Sequence, residues 1–580
     1  MLPGSVAAFL LYWRRRISLS LVPRFGAVMF AEILVVIIIA IGITAFAERS
    51  NFQPALLVAI VGLGASFIPG LHRLELEPEV ILGIVLPPLL FSAASDFSFT
   101  SFVKRLGSIV NLGVFLVFAS AAAVAAVASL TVPGIPIAAA LVLGAIVAPP
   151  DAVTAIAIGS KAGLPSGLMT VLKGESLIND AAALTLLAVA VAATAGTHAF
   201  IDNTALYFLY AAVVGVVLGL IIGQGAQYAR RRLANPSLAT VISVIVPFAA
   251  YLVAEELHAS GVLAVVAAGF ALGHHGTQSG YEERMQERQF WRTIDTLLET
   301  FVFAYIGLQL RFVIDDALAA GLDISDLLLG GVAIFLATVV VRFGWVFVTA
   351  LLARWRHRAV MKRLADPPRN PRRRPPPTPE VPLTWKENAV LSWTGMRGVV
   401  TLAAATGIPF MTVAGESFPY REAIVALAFL VTIATLLVQG ISLPWLIERL
   451  SLEDDDDRAY AEAQHQLAHR LAHDANAEAL DEFRRTHTSP RAQRLADAME
   501  RRADRASADE EAEEAEGRVR GFDPKEAFEL GQLLLDARRK RLIAARDARE
   551  LDDMVLREVL EQMDLEQALM DGMTKGAGRL

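Results

Sequence analysis

The sequence runs to 580 residues, of which 54% are hydrophobic and none is cysteine, and its mean hydropathy is +0.49. A disulfide framework is excluded, and so much apolar sequence points to an all-α polytopic membrane protein rather than a soluble domain. The formal net charge of -7 hides a division: the chain up to Leu450 is apolar with basic loops, whereas the remainder is acidic and charged throughout.

Residues 1–25 hold Arg14, Arg15, Arg16 and Arg24 and read as a basic N-terminal arm without an A-x-A-like cleavage site. Met29, heading MFAEILVVIII, is a more natural start for a first span. Apolar runs near the roughly 20 residues that cross a bilayer then follow at 27–47, 53–70, 79–95, 107–131, 135–159, 166–193, 205–228, 237–257, 261–275, 294–310, 327–352, 386–412 and 420–446. These thirteen runs predict a transmembrane domain over 26–450.

Loop charge orients the spans. Lys104, Arg105, Lys161, Arg230 to Arg232, Arg284, Arg288 and Arg292 fall in loops of one parity. The loop after the eleventh run adds Arg354, Arg356, Arg358, Lys362, Arg363 and the stretch PRNPRRRPPP. The opposite loops carry little beyond Arg73, Arg311 and Arg421. The positive-inside rule makes the first set cytoplasmic and puts the C-terminus inside. The Arg-rich arm would then lie on the wrong side, unless it is not made or the first span is parsed differently.

Two spans are punctuated. In the fifth, Pro149 and Pro150 cannot donate backbone hydrogen bonds, so a break is expected just before Asp151, freeing carbonyls that could bind a cation. In the twelfth, Gly395-Met396-Arg397-Gly398 sets a cation between flexible residues and could break that helix likewise. Broken helices in both halves are the sign of an inverted-repeat secondary transporter with its site near the midplane.

Asp151, Glu175 and Asp180 place charge where it is expensive, which marks a functional site. Glu175, Ser176, Asn179 and Asp180 cover an arc of about 140° and share one helix face. That face offers two carboxylates, a hydroxyl and an amide carbonyl, the oxygen donors a dehydrated alkali cation needs in place of water. A carboxylate also takes a proton, so one site could serve either ion; the plainer alternative is a set of buried polar groups satisfying one another. Arg342, inside VVVRFGWVF, needs a carboxylate partner, and Glu175 is the leading one. Glu255 and Glu256 approach the outer interface, where capping competes with a functional role.

Residues 451–580 begin with DDDD at Asp454 to Asp457 and continue in Ala-, Glu- and Arg-rich sequence, with a turn expected near Gly521 to Pro524. One or two amphipathic helices should follow, making a cytoplasmic helical, regulatory domain. Gly62-Leu63-Gly64, the nearest approach to a nucleotide fingerprint, lacks a third glycine and lies within a span.

Five motifs together resemble the monovalent cation/proton antiporters of the NhaP/NHE type, in particular the bacterial branch with a long C-terminal tail. They are LPPLLFSAA at Leu86 to Ala94, APPDAV at Ala148 to Val153, GESLINDA at Gly174 to Ala181, AEELHASGVLAVVAAG at Ala254 to Gly269, and GMRGVVTLAAA at Gly395 to Ala405. The resemblance implies thirteen spans with inverted repeats, two broken crossing helices, a mobile core and a homodimer in the bacterial inner membrane. It implies that Asp180 is the ion- and proton-binding carboxylate, Asp151 a second acid, Ser176 a ligand, Glu175 the partner of Arg342, and Arg397 a second core arginine facing the break. Three departures stand out. The family's Thr-Asp-Pro is here Pro150-Asp151-Ala152, which removes a hydroxyl but leaves the Pro150 carbonyl. Ser92 stands where many relatives carry an acid, and Lys173 adds a positive charge near the cytoplasmic entrance.

The resulting expectation is competition at one alternating site between a proton and Na+, K+ or Li+, with no cofactor and no nucleic-acid partner. Asn179, in place of a second titrating acid, favours one-for-one exchange by the same likeness. An intramembrane hydrolase would want a GxGD or HExxH motif, which the sequence lacks. A cation channel, or a sensor signalling through its tail, remains the alternative of another class.

Overall fold

The computed structural model describes residues 25–50, 52–69, 73–74, 80–151, 153–197, 201, 203–233, 235–276, 279–365, 381–452, 455–508 and 524–577. The N-terminal arm up to residue 24 and the Arg/Pro-rich stretch 366–380 lie outside the described residues. Among the described residues the regular structure is helical, apart from an isolated bridge between Met411 and Ser417.

The membrane region opens with α1 (Phe25–Arg49), α2 (Pro54–Ser66), α3 (Ile81–Asp96) and α4 (Leu106–Thr131). The first turn of α3 is π-helical, Ile81–Val85. Pro87 and Pro88, which follow it, lack the N–H that a regular ladder needs, and a wider turn accommodates them. The fifth run divides into α5 (Ile137–Val147) and α6 (Val153–Lys161). After them come α7 (Ser166–Ala195), α8 (Thr204–Arg230), α9 (Pro236–Glu256) and α10 (Gly261–Gly276). Asn203 and Asn235 cap α8 and α9 by accepting from Leu206 N–H at 3.1 Å and Ser237 N–H at 2.9 Å. Two long helices follow, α11 (Tyr281–Ala319) and α12 (Ile324–Ala365). The twelfth run divides into α13 (Trp385–Trp393), opened by a Thr384/Glu387 capping box, and α14 (Val399–Thr406), before α15 (Arg421–Leu450).

Seven helices among the described residues are long and apolar enough to cross a membrane, and α2, α3, α5 and α10 are shorter apolar ones. Their outer faces are apolar and exposed, as with Val340 at 67% and Leu329 at 65%, which suits lipid contact. The tenth run, expected over 294–310, proves to be the middle of the 39-residue α11. Its charged first turns looked like a loop in the sequence; they remain helical because their charges are paired.

Those pairs also sort the two ends of the helices. Arg230 at the end of α8 contacts Glu283 and Glu287 at the start of α11, each at 2.6 Å. Arg73 meets Asp316 near the far end of α11 at 2.6 Å. Charges of the two loop sets thus gather at opposite ends of one rod.

Helices approach closely where side chains are small. A Cβ at Gly307 of α11 would collide with the Ala59 carbonyl of α2, and one at Gly62 would sit 3.0 Å from the Ala304 carbonyl. The two glycines of the incomplete nucleotide fingerprint are therefore accounted for in part by this seam. Similar close contacts join α4 to α5 at Gly144 and α8 to α10 at Gly219.

Beyond Leu450 lie α16 (Asp455–Thr486), α17 (Pro490–Ala508), α18 (Pro524–Asp547) and α19 (Asp553–Ala577). The amphipathic stretch is two helices, since the chain turns at Arg549 with φ 64°. Leu471, Leu535, Leu542, Leu556 and Leu560 form one buried cluster of this region, and Leu480, Phe483, Leu495 and Leu530 another.

Gly307→Leu should overpack the α2–α11 seam at a cost of about 1–3 kcal/mol. The expected outcome is a lowered Tm in detergent, whereas Gly42→Leu, with open space around it, should leave Tm unchanged.

A candidate cation and proton site at two broken helices

Consecutive prolines end α5 at Val147, and its last carbonyls need partners that lipid cannot supply. Arg397, 2% exposed, provides one: its Nε donates to the Val147 carbonyl at 2.9 Å, and its Nη1 donates to the carbonyl of Gly395. The backbone N–H of Arg397 donates to Thr435 Oγ1 on α15 at 3.0 Å. In the other direction, Asp151 N–H donates to the Met396 carbonyl at 2.6 Å. The two breaks are thereby stitched to each other. Gly398 makes the approach feasible, because a Cβ there would collide with the Asp151 carboxylate.

One face of α7 closes against this crossing. Asn179, fully buried, donates from Nδ2 to the Pro150 carbonyl at 2.5 Å. Its Oδ1 is buried without a hydrogen-bond partner. Asp180, the next residue and 8% exposed, lies within electrostatic range of Asp151. Ser176 is half-buried one turn before Asp180 on the same face. Two carboxylates, an amide oxygen, a carbonyl and a hydroxyl thus come from two segments, the break at Pro150 and Asp151 and one face of α7.

Glu175 points its carboxylate elsewhere. It meets Arg342 of α12 in a bidentate pair, Nη1–Oε1 2.5 Å and Nη2–Oε2 2.9 Å, while Arg342 Nε donates to the Leu391 carbonyl near the end of α13 at 3.1 Å. Both side chains are buried, and the geometry leaves neither charge uncompensated. The pair joins α7 to α12 and to the first half of the second broken helix. Glu255 accepts from Gly261 N–H at 3.3 Å, across the turn between α9 and α10. That contact supplies the capping reading of its position.

Two acids escaped the sequence reading. Asp295 of α11 accepts from Ser92 Oγ at 2.5 Å, and Glu299, one turn further on, lies within electrostatic range of both Asp295 and Asp151. Both fall inside the run expected at 294–310, so the rule that singled out Asp180 applied to them as well. Ser92 therefore has a carboxylate beside it, contributed by another helix.

Discontinuous helices crossing at buried carboxylates, in a bundle with apolar outer faces, define an integral membrane secondary transporter rather than an enzyme. The profile of the transmembrane sodium/hydrogen exchanger family matches residues 15–449, and the chain belongs to that family. Its activity is exchange of a monovalent cation for protons. An uncharacterised Na+/H+ exchanger of Mycobacterium tuberculosis is 30% identical, over 94% of this chain and 96% of its own. The Na+/H+ antiporter ApNhaP of Aphanothece halophytica is 29% identical over 74% of this chain and 77% of its own. A sodium, potassium, lithium and rubidium/H+ antiporter of Bacillus pumilus is 30% identical over 72% and 62%. Among solved structures, the sodium proton antiporter MjNhaP1 of Methanocaldococcus jannaschii superposes with a TM-score of 0.57 at 16% identity, covering 75% of this chain and 99% of that one. This likeness shows the fold.

Glu175→Gln should strand the Arg342 charge and cost about 3–5 kcal/mol, read as a reduced Tm and lower yield of folded protein. Gly398→Ala should displace Asp151 and reduce exchange in proteoliposomes about 100-fold. Gly344→Ala, where nothing lies within 4 Å, should leave exchange at the wild-type rate.

Proposed function

We propose that the chain exchanges one Na+, K+ or Li+ for one proton at a single alternating site centred on Asp180, with Asp151, Ser176, Asn179 and the Pro150 carbonyl around it. The observation that carries this reading is the orphaned Oδ1 of Asn179, fully buried beside two carboxylates, with its Nδ2 already committed to Pro150. A buried acceptor without a donor is costly, and a desolvated cation held by Asp180 and Asp151 would satisfy it. The Pro150 carbonyl keeps a second lone pair for the same purpose.

A proton and a cation compete for Asp180, since either neutralises a charge that cannot stay bare in the membrane. Each reorientation of the crossing carries whichever is bound. Asn179 cannot titrate, so one carboxylate centre exchanges one charge for one charge and the cycle is electroneutral. Glu175, Arg342 and Arg397 hold the crossing together and do not carry ions. No cofactor is required, because an ion gradient drives the cycle.

The basic loops that gather at the Tyr281 end of α11 support placing that end, and residues 451–580, in the cytoplasm of a bacterial cell whose inner membrane holds the protein as a homodimer. There, residues 26–450 transport ions for pH and cation homeostasis, and the tail regulates them.

The test is dequenching of a pH-sensitive dye in proteoliposomes on adding Na+, K+ or Li+. Wild type should respond, Asp180→Asn should not, and an imposed membrane potential should leave the wild-type rate unchanged. Steady current without proton coupling would favour a channel.

A further inference from the structure

Among the described residues, no buried apolar cluster mixes the tail helices α16–α19 with the membrane helices. The tail has its own core, and its final helix meets the membrane domain through charge. Asp564 of α19, its side chain 1% exposed, accepts from Arg284 Nε at 2.9 Å and Arg288 Nη2 at 2.8 Å on α11, and from Arg539 Nη2 at 3.3 Å on α18. Glu561 pairs with Arg288 at 3.2 Å and Arg292 at 3.4 Å. The Tyr281 hydroxyl donates to Asp571. Arg557 reaches a second membrane helix, donating to the Ser95 carbonyl of α3 at 3.2 Å. The residues used on α19 recur at steps of four, three and seven, one face of a helix; those on α11 recur at steps of three, four and four.

These contacts lie on the tail side of the Ser92–Asp295 hydrogen bond. Ser95 lies one turn from Ser92, and Arg292 one turn from Asp295, so α19 grips both helices that this bond joins, on the approach to Asp151. At its other end the tail continues from α15, which packs on α5 and α14, the helices flanking the two breaks. The tail therefore links the helix pair α3/α11 to the bundle that carries the site. Beside the ionic contacts, a cleft of about 630 Å³ between α11 and α19, lined by Met285, Gln289, Phe290, Ile294 and Ala568, leaves the interface unsealed by apolar packing.

We propose that α19 is a releasable ionic strap: docked, it holds α3 and α11 together at the cytoplasmic mouth and slows exchange, and released, it lets the mouth move. This rests on the alternating-site reading above. The Glu561 pairs are exposed, the kind that added salt screens, whereas Asp564 is shielded, so rising cytoplasmic salt loosens the strap at Glu561 first.

The experiment uses the full chain in proteoliposomes at constant Na+. Because the sequence has no cysteine, Gln289→Cys/Ala568→Cys can be bridged across the cleft with a reducible bifunctional thiol reagent. Bridging should slow exchange, and reduction should restore it. Asp564→Asn should raise the rate, and choline chloride on the tail side should raise it for unbridged protein alone; each effect is about fivefold to tenfold, the lower range of coupling between sites. A rate that bridging leaves unchanged, or that choline chloride raises equally with and without the bridge, overturns the strap while leaving antiport intact. Wild type that exchanges no cation in this assay overturns the antiport reading and the strap with it.

Discussion

Interrupting two helices inside a membrane leaves backbone groups that lipid cannot satisfy, and the buried guanidinium of Arg397 is what meets them. Its hydrogen bonds go to carbonyls on both sides of the crossing, Val147 and Gly395, and its own N–H is taken by Thr435. The positions of Asp151 and Pro150 depend on that fit, and through Pro150 so does the orientation of Asn179. Arg342 differs, for Glu175 neutralises it directly. Two buried arginines thus have separate tasks: one joins helices as half of a neutral pair, and the other fills a broken ladder with positive charge next to the acids.

Around this centre, small residues determine how near the helices come. Gly144 lets α5 lie against α4 at Ala121, and Gly273 lets α10 lie against α3 at Ser95. In lipid there is little hydrophobic drive for helices to associate, so close backbone approach supplies much of the attraction. The polar crossing can then be held by a rigid surround without a large polar network of its own.

Most of the transmembrane plan was legible because its signals are local. Proline pairs remove donors, glycines flank Arg397, and apolar runs have the length a bilayer imposes; each can be read without knowing the neighbours. The Glu175–Arg342 contact was legible for another reason: an arginine at that depth requires an acid, and few acids were available. Less could be read where meaning depends on distant partners. The first turns of α11 read as a loop because Arg284, Arg288 and Arg292 are charged, and only the carboxylates of α19 and the arginine of α8 nearby show why they are helical. Asp295 and Glu299 lie within an expected span, but their nearness to Asp151 and Ser92 depends on how α11 packs against other helices, which no local pattern in the sequence records. Glu255 looked ambiguous until the turn to Gly261 brought an N–H to it.

The length of α11 has a mechanical consequence. Its 39 residues make a rod of roughly 58 Å, about twice the hydrocarbon thickness. It touches α2 backbone to backbone at Gly62 and Gly307, is tied to Asp564 and Glu561 below, and to Arg73 above through Asp316. A rod so held would break the glycine contact if it slid along its axis, and a tilt about that contact would carry its two ends in opposite directions, so the glycine seam is the natural fulcrum of α11.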